Sequence, residues 1–378
     1  MKKSYLLTPG PTQVPAEALL SMARPMIHHR TPAFGEILKE VQENLKYVFQ
    51  TKEDVLIFTS SGTGAMEGAV ANLLSPGDKA VVVQGGKFGE RWAELCKAYG
   101  GQPITIDVEW GKAVDPKLIE DQLKKDPSIK AVFTTLCETS TAVATDIQAL
   151  ADITKKTDAV LVVDAISALG AVYCKTDDWG IDVVVTGSQK GLMIPPGLAF
   201  AAVSKKAWKV IEDSRSPKYY FSFKKYKKSM EKTDTPFTPA VSLIIGLREA
   251  LRIIKSEGLD AMIQRYAKMA KAVKEAAKAL GLEPLSADAP SGAVTAIKVP
   301  EGIDGGKLVK TMRDKYGVGI AGGQGDLKGR IFRIASMGFM NQFDIIVAIS
   351  CLETVLSEMG YKFELGSGVR AAEKTFLE

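Results

Sequence analysis

The stretch Asp182-Val183-Val184-Val185-Thr186-Gly187-Ser188-Gln189-Lys190-Gly191 decides the expected fold of this 378-residue chain. An apolar run rich in valine precedes small and hydroxylated residues and then one lysine, which predicts a buried strand ending in a turn that carries an amine. Burial lowers the pKa of a lysine and frees its lone pair, so we expect Lys190 to be a Schiff-base nucleophile. The alternative is a strand-end lysine that reaches solvent along its apolar stem.

A second apolar strand ends on an acidic residue. Leu161-Val162-Val163-Asp164 places Asp164 26 residues before Lys190, a separation that fits one strand–crossover–strand unit. The parallel strands of such a unit bring their carboxyl ends to one sheet edge, where open α/β sheets bind ligands. Pyridoxal phosphate requires a lysine for its aldehyde and an acid that keeps its pyridine nitrogen protonated. The pair therefore indicates a pyridoxal phosphate site.

The chain resembles the class V aminotransferases of fold type I, and within them the alanine:glyoxylate and serine:pyruvate group. The resemblance extends from Leu7-Thr8-Pro9-Gly10-Pro11 through Gly187-Ser188-Gln189-Lys190 to Arg330-Ile331-Phe332-Arg333-Ile334. It implies an α/β large domain with a mostly parallel seven-stranded sheet, a smaller α+β C-terminal domain, and a homodimer with shared active sites. The expected divisions are an N-terminal arm (1–20), a large PLP-binding domain (21–260) and a small domain (261–378).

Composition is that of a globular protein large enough for more than one domain, with 46% hydrophobic and 25% charged residues. The net charge of +5 is compatible with carboxylate or phosphate substrates and does not by itself indicate nucleic acid. No apolar run is long enough for a signal sequence or a membrane span, so we expect a cytoplasmic protein without a membrane partner.

Cysteine and histidine usage argues against metal or disulfide chemistry. The four cysteines lack Cys-x-x-Cys spacing, and the only two histidines, His28 and His29, are adjacent. We therefore expect neither a bound metal nor a disulfide framework. His29 and Arg30 either line the active-site entrance or form a structural turn.

A small-residue segment follows the predicted strand Val55–Thr59. Ser60-Ser61-Gly62-Thr63-Gly64 opens a helix whose first N–H groups are free for a phosphate. Gly62, Gly64 and Gly68 are spaced one residue too far for a dinucleotide fingerprint, and no Gly-Lys is followed by Ser or Thr as a P-loop requires. The phosphate of pyridoxal phosphate remains the expected ligand.

The resemblance implies the other cofactor contacts. Phe88 matches a position that often carries a tryptophan stacked on the pyridine; alternatively, it anchors the following helix. Thr139 aligns with a residue that hydrogen-bonds the phenolate oxygen, and Ser140 replaces it if the register shifts by one. The expected cofactor-binding residues are Ser61, Gly62, Thr63, Phe88, Thr139, Asp164, Ile166, Gln189, Lys190, Thr235 and Thr238.

Two proline-rich segments, Leu6–Pro15 and Thr235–Pro239, are expected to be extended and to have few local packing partners. The resemblance implies that the first crosses onto the partner subunit with Gly10 close to the substrate. It also implies that the second reaches the neighbouring subunit's cofactor phosphate. Thr238 matches a family threonine, whereas Thr235 falls where some members have a phosphate-binding tyrosine.

Charged and apolar residues alternate in Arg330-Ile331-Phe332-Arg333-Ile334-Ala335, from which we expect both arginines to point to one strand face. A guanidinium grips an α-carboxylate with two parallel hydrogen bonds. The resemblance selects Arg333 as the substrate-binding residue. The lysine-rich, aromatic segment 204–232 is compatible with a nucleic-acid binder, but we expect an amphipathic covering segment and no nucleic-acid partner.

The expected activity is a PLP-dependent transamination that moves an amino group from alanine or serine to glyoxylate or pyruvate, with Lys190 and Asp164 as catalytic residues. One alternative is a lyase of the same fold, such as a cysteine desulfurase. Those enzymes usually place a histidine before the lysine and over the ring, where this chain has Gln189 and Phe88. Another alternative is a non-enzymatic subunit of a larger complex, against which the retained Lys190–Asp164 pair argues.

Overall fold

The structure, a computed structural model, describes residues 3–378, and over that range the chain forms fourteen strands and fourteen α-helices. The strands are β1 (Tyr5–Leu6), β2 (Val55–Thr59), β3 (Lys79–Gln84), β4 (Gln102–Asp107), β5 (Ala131–Thr135), β6 (Cys137–Glu138), β7 (Val143–Ala144), β8 (Val160–Asp164), β9 (Val183–Gly187), β10 (Leu198–Val203), β11 (Val294–Lys298), β12 (Val318–Gly319), β13 (Ala321–Gly322) and β14 (Ile331–Ala335). The helices are α1 (Ala16–Met22), α2 (Pro32–Phe49), α3 (Gly62–Leu73), α4 (Lys87–Ala98), α5 (Pro116–Lys125), α6 (Ile147–Thr154), α7 (Thr176–Trp179), α8 (Lys205–Asp213), α9 (Phe223–Met230), α10 (Val241–Glu257), α11 (Leu259–Ala279), α12 (Gly305–Tyr316), α13 (Gln342–Glu358) and α14 (Ser367–Leu377).

The largest sheet has seven strands in the order β2-β10-β9-β8-β5-β3-β4. Only β10 runs antiparallel to its neighbours, and the other pairings are parallel. β8 and β9 are buried along their whole length, as their continuous apolar sequences require in a sheet covered on both faces. Asp164 pairs with Val185 across β8 and β9, so their carboxyl ends lie side by side. The predicted α/β fold with a mostly parallel seven-stranded sheet is confirmed.

Helices cover both faces of this sheet. On one face α3, α4, α8 and α9 bury Met66, Trp92, Ile211 and Phe223 against the sheet. On the other face α2, α6, α10 and α11 pack around a larger apolar core. The lysine-rich segment predicted to cover the sheet therefore forms α8 and α9, whose apolar residues face the core.

The C-terminal part of the chain contains the antiparallel sheet β11-β14-β13. α10 ends at Glu257 and α11 begins at Leu259, so the predicted domain boundary at residue 260 falls at the start of α11 and stays a prediction. Within residues 3–378 the structure contains no helix that is both long and apolar enough to span a bilayer.

The N-terminal arm has partners in its own chain. β1 pairs in parallel with β12, and the backbone of Leu7 donates to Gly319 O at 2.8 Å and accepts from Ala335 N at 2.9 Å. These partners lie more than 300 residues away in sequence, which agrees with the expectation of few local packing partners; that they belong to the same chain is something local sequence does not reveal. A further contact between the arm and a partner subunit stays a prediction.

Candidate active site

Lys190 lies in the turn after β9, and its side chain is 9% exposed. Its Nζ donates to the carbonyl oxygen of Pro9 and to Ser167 Oγ, the latter at 3.3 Å. Burial lowers the pKa of Lys190 to about 8, and the nearby Asp164 opposes part of that shift. The amine is therefore poised to lose its proton in mildly alkaline solution.

Asp164 is the last residue of β8 and is buried beside the Lys190 turn. Its Oδ1 accepts the backbone N–H of Ile166 at 2.7 Å. Burial, with a smaller contribution from the negative charge of Glu138, raises the pKa of Asp164 to about 7. A cation placed beside this carboxylate would replace the hydration that burial removes, which is the role expected of a protonated pyridine nitrogen.

The first turn of α3 provides the expected phosphate site. The helix begins at Gly62, where a Cβ would fall 2.6 Å from Ile166 Cδ1, so only glycine fits there without displacing Ile166. A Cβ on Gly187 would lie 3.1 Å from Gln189 Oε1 and 3.3 Å from the Gly62 nitrogen. The Gln189 amide end and the helix N-terminus thus converge on one point, next to Ser61 and Thr63.

Two polar groups at this point have informative partners. Gln189 Oε1 is buried without a hydrogen-bond partner in the described part of the chain. The Thr63 hydroxyl accepts from Arg91 Nη1 at 3.2 Å. A helix N-terminus and a guanidinium together suit a phosphate, to which Gln189 could donate only through its amide NH₂ group, so these residues fit the phosphate of pyridoxal phosphate.

Phe88 is the second residue of α4 and is half-buried, with the Arg91 guanidinium carbon 5.0 Å from its ring centroid. The backbone N–H groups of Phe88 and Gly89 donate to the carboxylate of Glu138 at 3.3 and 2.9 Å. Phe88 is therefore held at the start of the helix, and the stacking and helix-anchoring interpretations remain compatible with each other.

The two candidate hydroxyls of the 137–141 segment differ in their surroundings. Thr139 Oγ1 donates to Ser167 Oγ at 2.5 Å, and Ser167 in turn accepts from Lys190. Ser140 Oγ instead donates to Glu138 at 2.5 Å. Thr139 is consequently the hydroxyl that lies on the Lys190 side of the segment.

Arg333 is buried in the middle of β14. Its Nε and Nη2 donate to Gly322 O at 3.0 and 2.7 Å, and its Nη1 donates to Thr139 O at 2.8 Å. Burial lowers the pKa of Arg333 to about 10, which leaves it charged at neutral pH. Three of the five guanidinium N–H groups are thus engaged by carbonyl oxygens, and two remain for a carboxylate.

The two arginines of this strand do not share a face. Arg330 is exposed, whereas Arg333 is buried. The expectation that both point one way is wrong, because side chains alternate along a strand and residues three apart lie on opposite faces. The correction leaves Arg333 as the arginine beside Thr139.

The N-terminal arm passes over Lys190. A Cβ on Gly10 would fall 2.3 Å from Lys190 Cε. Thr12 donates its N–H to Gln189 O at 3.1 Å and its hydroxyl to Lys190 O at 3.0 Å. Gly10 therefore lies beside the predicted nucleophile, as its expected nearness to the substrate requires.

The loop Thr235–Pro239 is placed beside β2, where Ala240 N donates to Thr59 Oγ1 at 3.1 Å. Thr235 is buried, and its hydroxyl donates to Phe237 O at 2.8 Å, whereas Thr238 is exposed. Arg30 donates to Asp234 and to Thr235 O. Within one chain Thr238 is therefore the exposed threonine of the loop, and Arg30 fixes the start of the loop through its hydrogen bonds.

Three residues near the site are not among the site residues predicted from the sequence: Arg91, Glu138 and Ser167. Ser167 and Glu138 are buried polar residues next to expected site residues, Ser167 three positions after Asp164 and Glu138 directly before Thr139. Position next to a candidate residue is the only signal the sequence offers for them. Apart from the bonds between Ser140 and Glu138, the contacts that involve these three residues in the site join segments distant in sequence.

Comparison with known proteins gives a consistent result. Residues 4–332 match the family model described as Aminotransferase class-V. The soluble hydrogenase small subunit of Synechococcus sp. (strain PCC 6716) is 44% identical, with 98% of each chain covered. The serine–glyoxylate aminotransferase of Hyphomicrobium methylovorum is 38% identical, covering 98% of this chain and 94% of that protein. The solved ureidoglycine–glyoxylate aminotransferase of Bacillus subtilis superposes with a TM-score of 0.96 at 28% identity, over 100% of this chain and 99% of that one.

Proposed function

Because the chain belongs to the class V aminotransferases and is therefore a pyridoxal-phosphate-dependent enzyme, we propose that it transfers the amino group of a small amino acid, alanine or serine, to glyoxylate or pyruvate. The observation that carries the proposal is a continuous chain of hydrogen bonds from Arg333 through Thr139 and Ser167 to Lys190. It joins the group suited to a substrate carboxylate with the group suited to attack a carbonyl.

When bound, pyridoxal phosphate supplies a carbonyl carbon that accepts the amino group and a ring that stabilises the charge left when the donor Cα loses its proton. Lys190 Nζ would be the amine that holds the cofactor, and the same nitrogen would move the proton between the donor Cα and the acceptor side. The pKa of about 8 suits this work, since a general base acts best near the working pH. Asp164 holds the proton on the pyridine nitrogen.

The remaining residues bind and orient. Phe88 would cover the ring face, and the Thr139 hydroxyl would donate to the phenolic oxygen. Arg333 binds the α-carboxylate of donor and acceptor with its two remaining N–H groups. The phosphate would be held by Ser61, Gly62, Thr63 and Gln189, with Thr238 of a second copy of the chain completing the site. Ile166 lies against Gly62, from where its side chain would border the ring.

Glyoxylate is favoured as acceptor because both aminotransferase relatives named above share it in their printed names, although their donors differ. A small donor is favoured because the region around Lys190 is closely packed by Gly10; Arg333 would bind the α-carboxylate common to all amino acids and does not discriminate between donors. The hydrogenase-subunit name of the 44% identical relative raises the alternative of a subunit without catalysis. The buried Lys190 and Asp164 pair favours the enzyme, since a protein without catalysis has no need of these buried ionisable groups.

The experiment is to incubate the purified protein, loaded with pyridoxal phosphate, with serine or alanine and glyoxylate and to follow glycine, hydroxypyruvate and pyruvate. Aspartate serves as a larger donor for comparison. Borohydride reduction followed by peptide mass analysis should place the trapped cofactor on Lys190, and Lys190→Ala should form neither product nor trapped peptide. Failure of the wild type to bind the cofactor or to form glycine from any donor would overturn the proposed function.

A further inference from the structure

Glu138 is a buried carboxylate, 2% exposed, that the transamination described above does not use. It accepts four hydrogen bonds. Gly89 N–H donates to Oε2 at 2.9 Å, and Oε1 accepts from Phe88 N–H at 3.3 Å, Ser140 N–H at 3.2 Å and Ser140 Oγ at 2.5 Å. Every one of these donors belongs to the start of α4 or to the residue after Thr139.

The carboxylate therefore fastens together two segments that are about fifty residues apart in sequence. One carries Phe88 and the other carries Thr139. The two segments pack closely at Gly86, because a Cβ on that residue would fall 2.3 Å from Ser140 Oγ and 2.6 Å from Glu138 Cδ. Ser140 Oγ also accepts from Lys87 N–H at 3.1 Å, so the first three residues of α4 are all tied to this segment.

A negative charge suits this position electrostatically. The first N–H groups of a helix lack intrahelical partners and carry a partial positive charge, which an anion stabilises. Burying a charge costs free energy unless it is well hydrogen-bonded, and four donors satisfy Glu138. A neutral amide of the same shape would turn an NH₂ group towards backbone N–H donors and would lose both the charge and part of the bonding.

We propose that Glu138 is a positioning residue for the cofactor: it fixes the Phe88 ring and the Thr139 hydroxyl in one mutual arrangement, so that the cofactor is gripped at its face and its phenolic oxygen together. The proposal rests on the proposed function. Glu138 touches no reacting atom, and its effect is exerted through Phe88, Thr139 and, by way of Thr139 O, the guanidinium of Arg333.

The chain offers a matched control in Glu353, which is also 2% exposed. Its carboxylate accepts backbone N–H groups of Gly366, Gly368 and Val369 at 2.6 to 3.0 Å, at the start of α14 in the C-terminal part of the chain. Glu353→Gln therefore repeats the chemical change of Glu138→Gln at a helix start that carries none of the expected cofactor residues. It measures what losing a buried helix-capping charge does to stability alone.

The experiment compares wild type, Glu138→Gln, Glu138→Asp and Glu353→Gln. Thermal unfolding of each cofactor-free protein is first followed by circular dichroism. Cofactor binding is then measured at a temperature at which all four proteins are folded. Pyridoxal phosphate is then titrated in, and affinity and the visible circular dichroism of the bound cofactor are recorded, because the latter reports how the ring is held and does not respond to stability. Kinetics with serine and glyoxylate separate kcat from KM.

We expect Glu138→Gln to bind pyridoxal phosphate about ten- to a hundredfold more weakly, the range for losing a charge-assisted hydrogen bond, and to change the visible circular dichroism. Glu138→Asp keeps the charge and should therefore recover part of the cofactor affinity and part of the wild-type visible circular dichroism. Glu353→Gln should melt earlier yet bind the cofactor with wild-type affinity and spectrum. If Glu138→Gln does not fold, Ser140→Ala should show a smaller change of the same kind in the visible spectrum, because it removes the hydroxyl bond to Glu138 and the one accepted from Lys87 N–H.

Wild-type affinity and an unchanged spectrum in Glu138→Gln, or equal losses of affinity in Glu138→Gln and Glu353→Gln, would overturn the positioning role. Failure of the proposed function gives a different result, because the wild type itself would then bind no cofactor at Lys190. A wild type that binds the cofactor but forms no product leaves the Glu138 comparison fully interpretable.

Discussion

Gly10 of the N-terminal arm lies so close to Lys190 that a Cβ on residue 10 would fall 2.3 Å from Lys190 Cε and 2.6 Å from Nζ. Its φ of +117° also lies in the region that side-chain-bearing residues rarely adopt. Both facts make glycine necessary where the arm crosses the amine. The contact places a backbone segment from the beginning of the chain directly over the predicted nucleophile.

Gly10→Ala should therefore displace the Lys190 side chain and slow covalent cofactor attachment at least tenfold, an order-of-magnitude expectation for a misplaced reacting group. Gly302→Ala is the matched control, because Gly302 has a similarly positive φ of +80° but no atom within 4 Å of the added Cβ. Both variants should lose about 1–2 kcal/mol of stability from backbone strain. Equal attachment rates in the two variants, measured by stopped-flow absorbance, would show that the contact with Lys190 is not what matters.

The rate of cofactor attachment should follow the neutral fraction of Lys190. With a pKa of about 8, roughly a tenth of the amine is neutral at pH 7 and about nine tenths at pH 9, so the rate should rise nearly tenfold and then level off. Rapid mixing of cofactor-free protein with pyridoxal phosphate across this range measures it. A rate that kept rising tenfold per unit up to pH 10 would indicate a lysine with the ordinary pKa of 10.5.

Asp164→Asn should stabilise the cofactor-free protein above pH 7 while impairing the loaded enzyme. The folded pKa of Asp164, about 7, lies above the ordinary 3.8, so the folded state holds the proton more tightly. That contribution is full below about pH 4 and is lost as the pH rises towards 7, after which the buried charge costs on the order of a few kcal/mol.

Melting curves of cofactor-free protein should thus show Asp164→Asn above wild type at pH 8 and close to it at pH 4. Asp182→Asn is the contrast, because Asp182 accepts from Leu161 N–H at 3.0 Å and Ser204 Oγ at 2.7 Å and lies 3.7 Å from Lys206 Nζ. The Asp182→Asn protein should have a lower melting temperature than wild type at pH 8. An Asp164→Asn protein less stable than wild type at pH 8 would show that the carboxylate is satisfied without the cofactor.

Arg333→Lys should raise KM for donor and acceptor together, because a point charge replaces a planar two-pronged group. The loss should be about 1.5–3 kcal/mol, which corresponds to roughly ten- to a hundredfold in kcat/KM. Arg330→Lys, on the exposed side of the same segment, should leave both KM values unchanged. If the two variants behaved alike, the carboxylate would be bound elsewhere.

Thr238 is expected to complete the cofactor site of a second copy of the chain, since it is exposed in the single chain beside the end of β2. The test mixes inactive Lys190→Ala with Thr238→Glu, whose charge repels the phosphate, after mild dissociation and reassociation. If Thr238 acts on the partner, a mixed dimer has one intact site and about half of the wild-type activity. If it acts within its own chain, no activity returns.

Much of the sheet could be predicted from sequence because its strands are short, continuously apolar and end on distinctive residues. β2 matches its predicted bounds at Val55 and Thr59, and the carboxyl ends of β8 and β9, which lead to Asp164 and Lys190, lie side by side as the spacing predicts. The expected face of Arg330 is wrong because side chains alternate along an extended segment with a period of two, so that residues three apart point to opposite sides.

The arm's attachment and the role of Glu138 could not be predicted for another reason. Both depend on contacts between segments distant in sequence: Leu7 with Ala335, and Glu138 with Phe88 and Gly89. Hydrophobic periodicity describes one segment at a time and says nothing about which segment a buried carboxylate or an extended arm will meet. Such residues become visible only when the sheet has brought the segments together.

The arm also connects β14 to the turn that carries Lys190. Leu7 is bonded to Ala335, two residues along β14 from Arg333, and Thr12 is bonded to the backbone of Lys190. The arm between Leu7 and Thr12 therefore joins the strand that carries the Arg333 guanidinium to the turn that carries the Lys190 amine. A displacement of β14 relative to the large sheet would therefore have to be taken up by these bonds, by the arm between Leu7 and Thr12, or by the turn that carries Lys190.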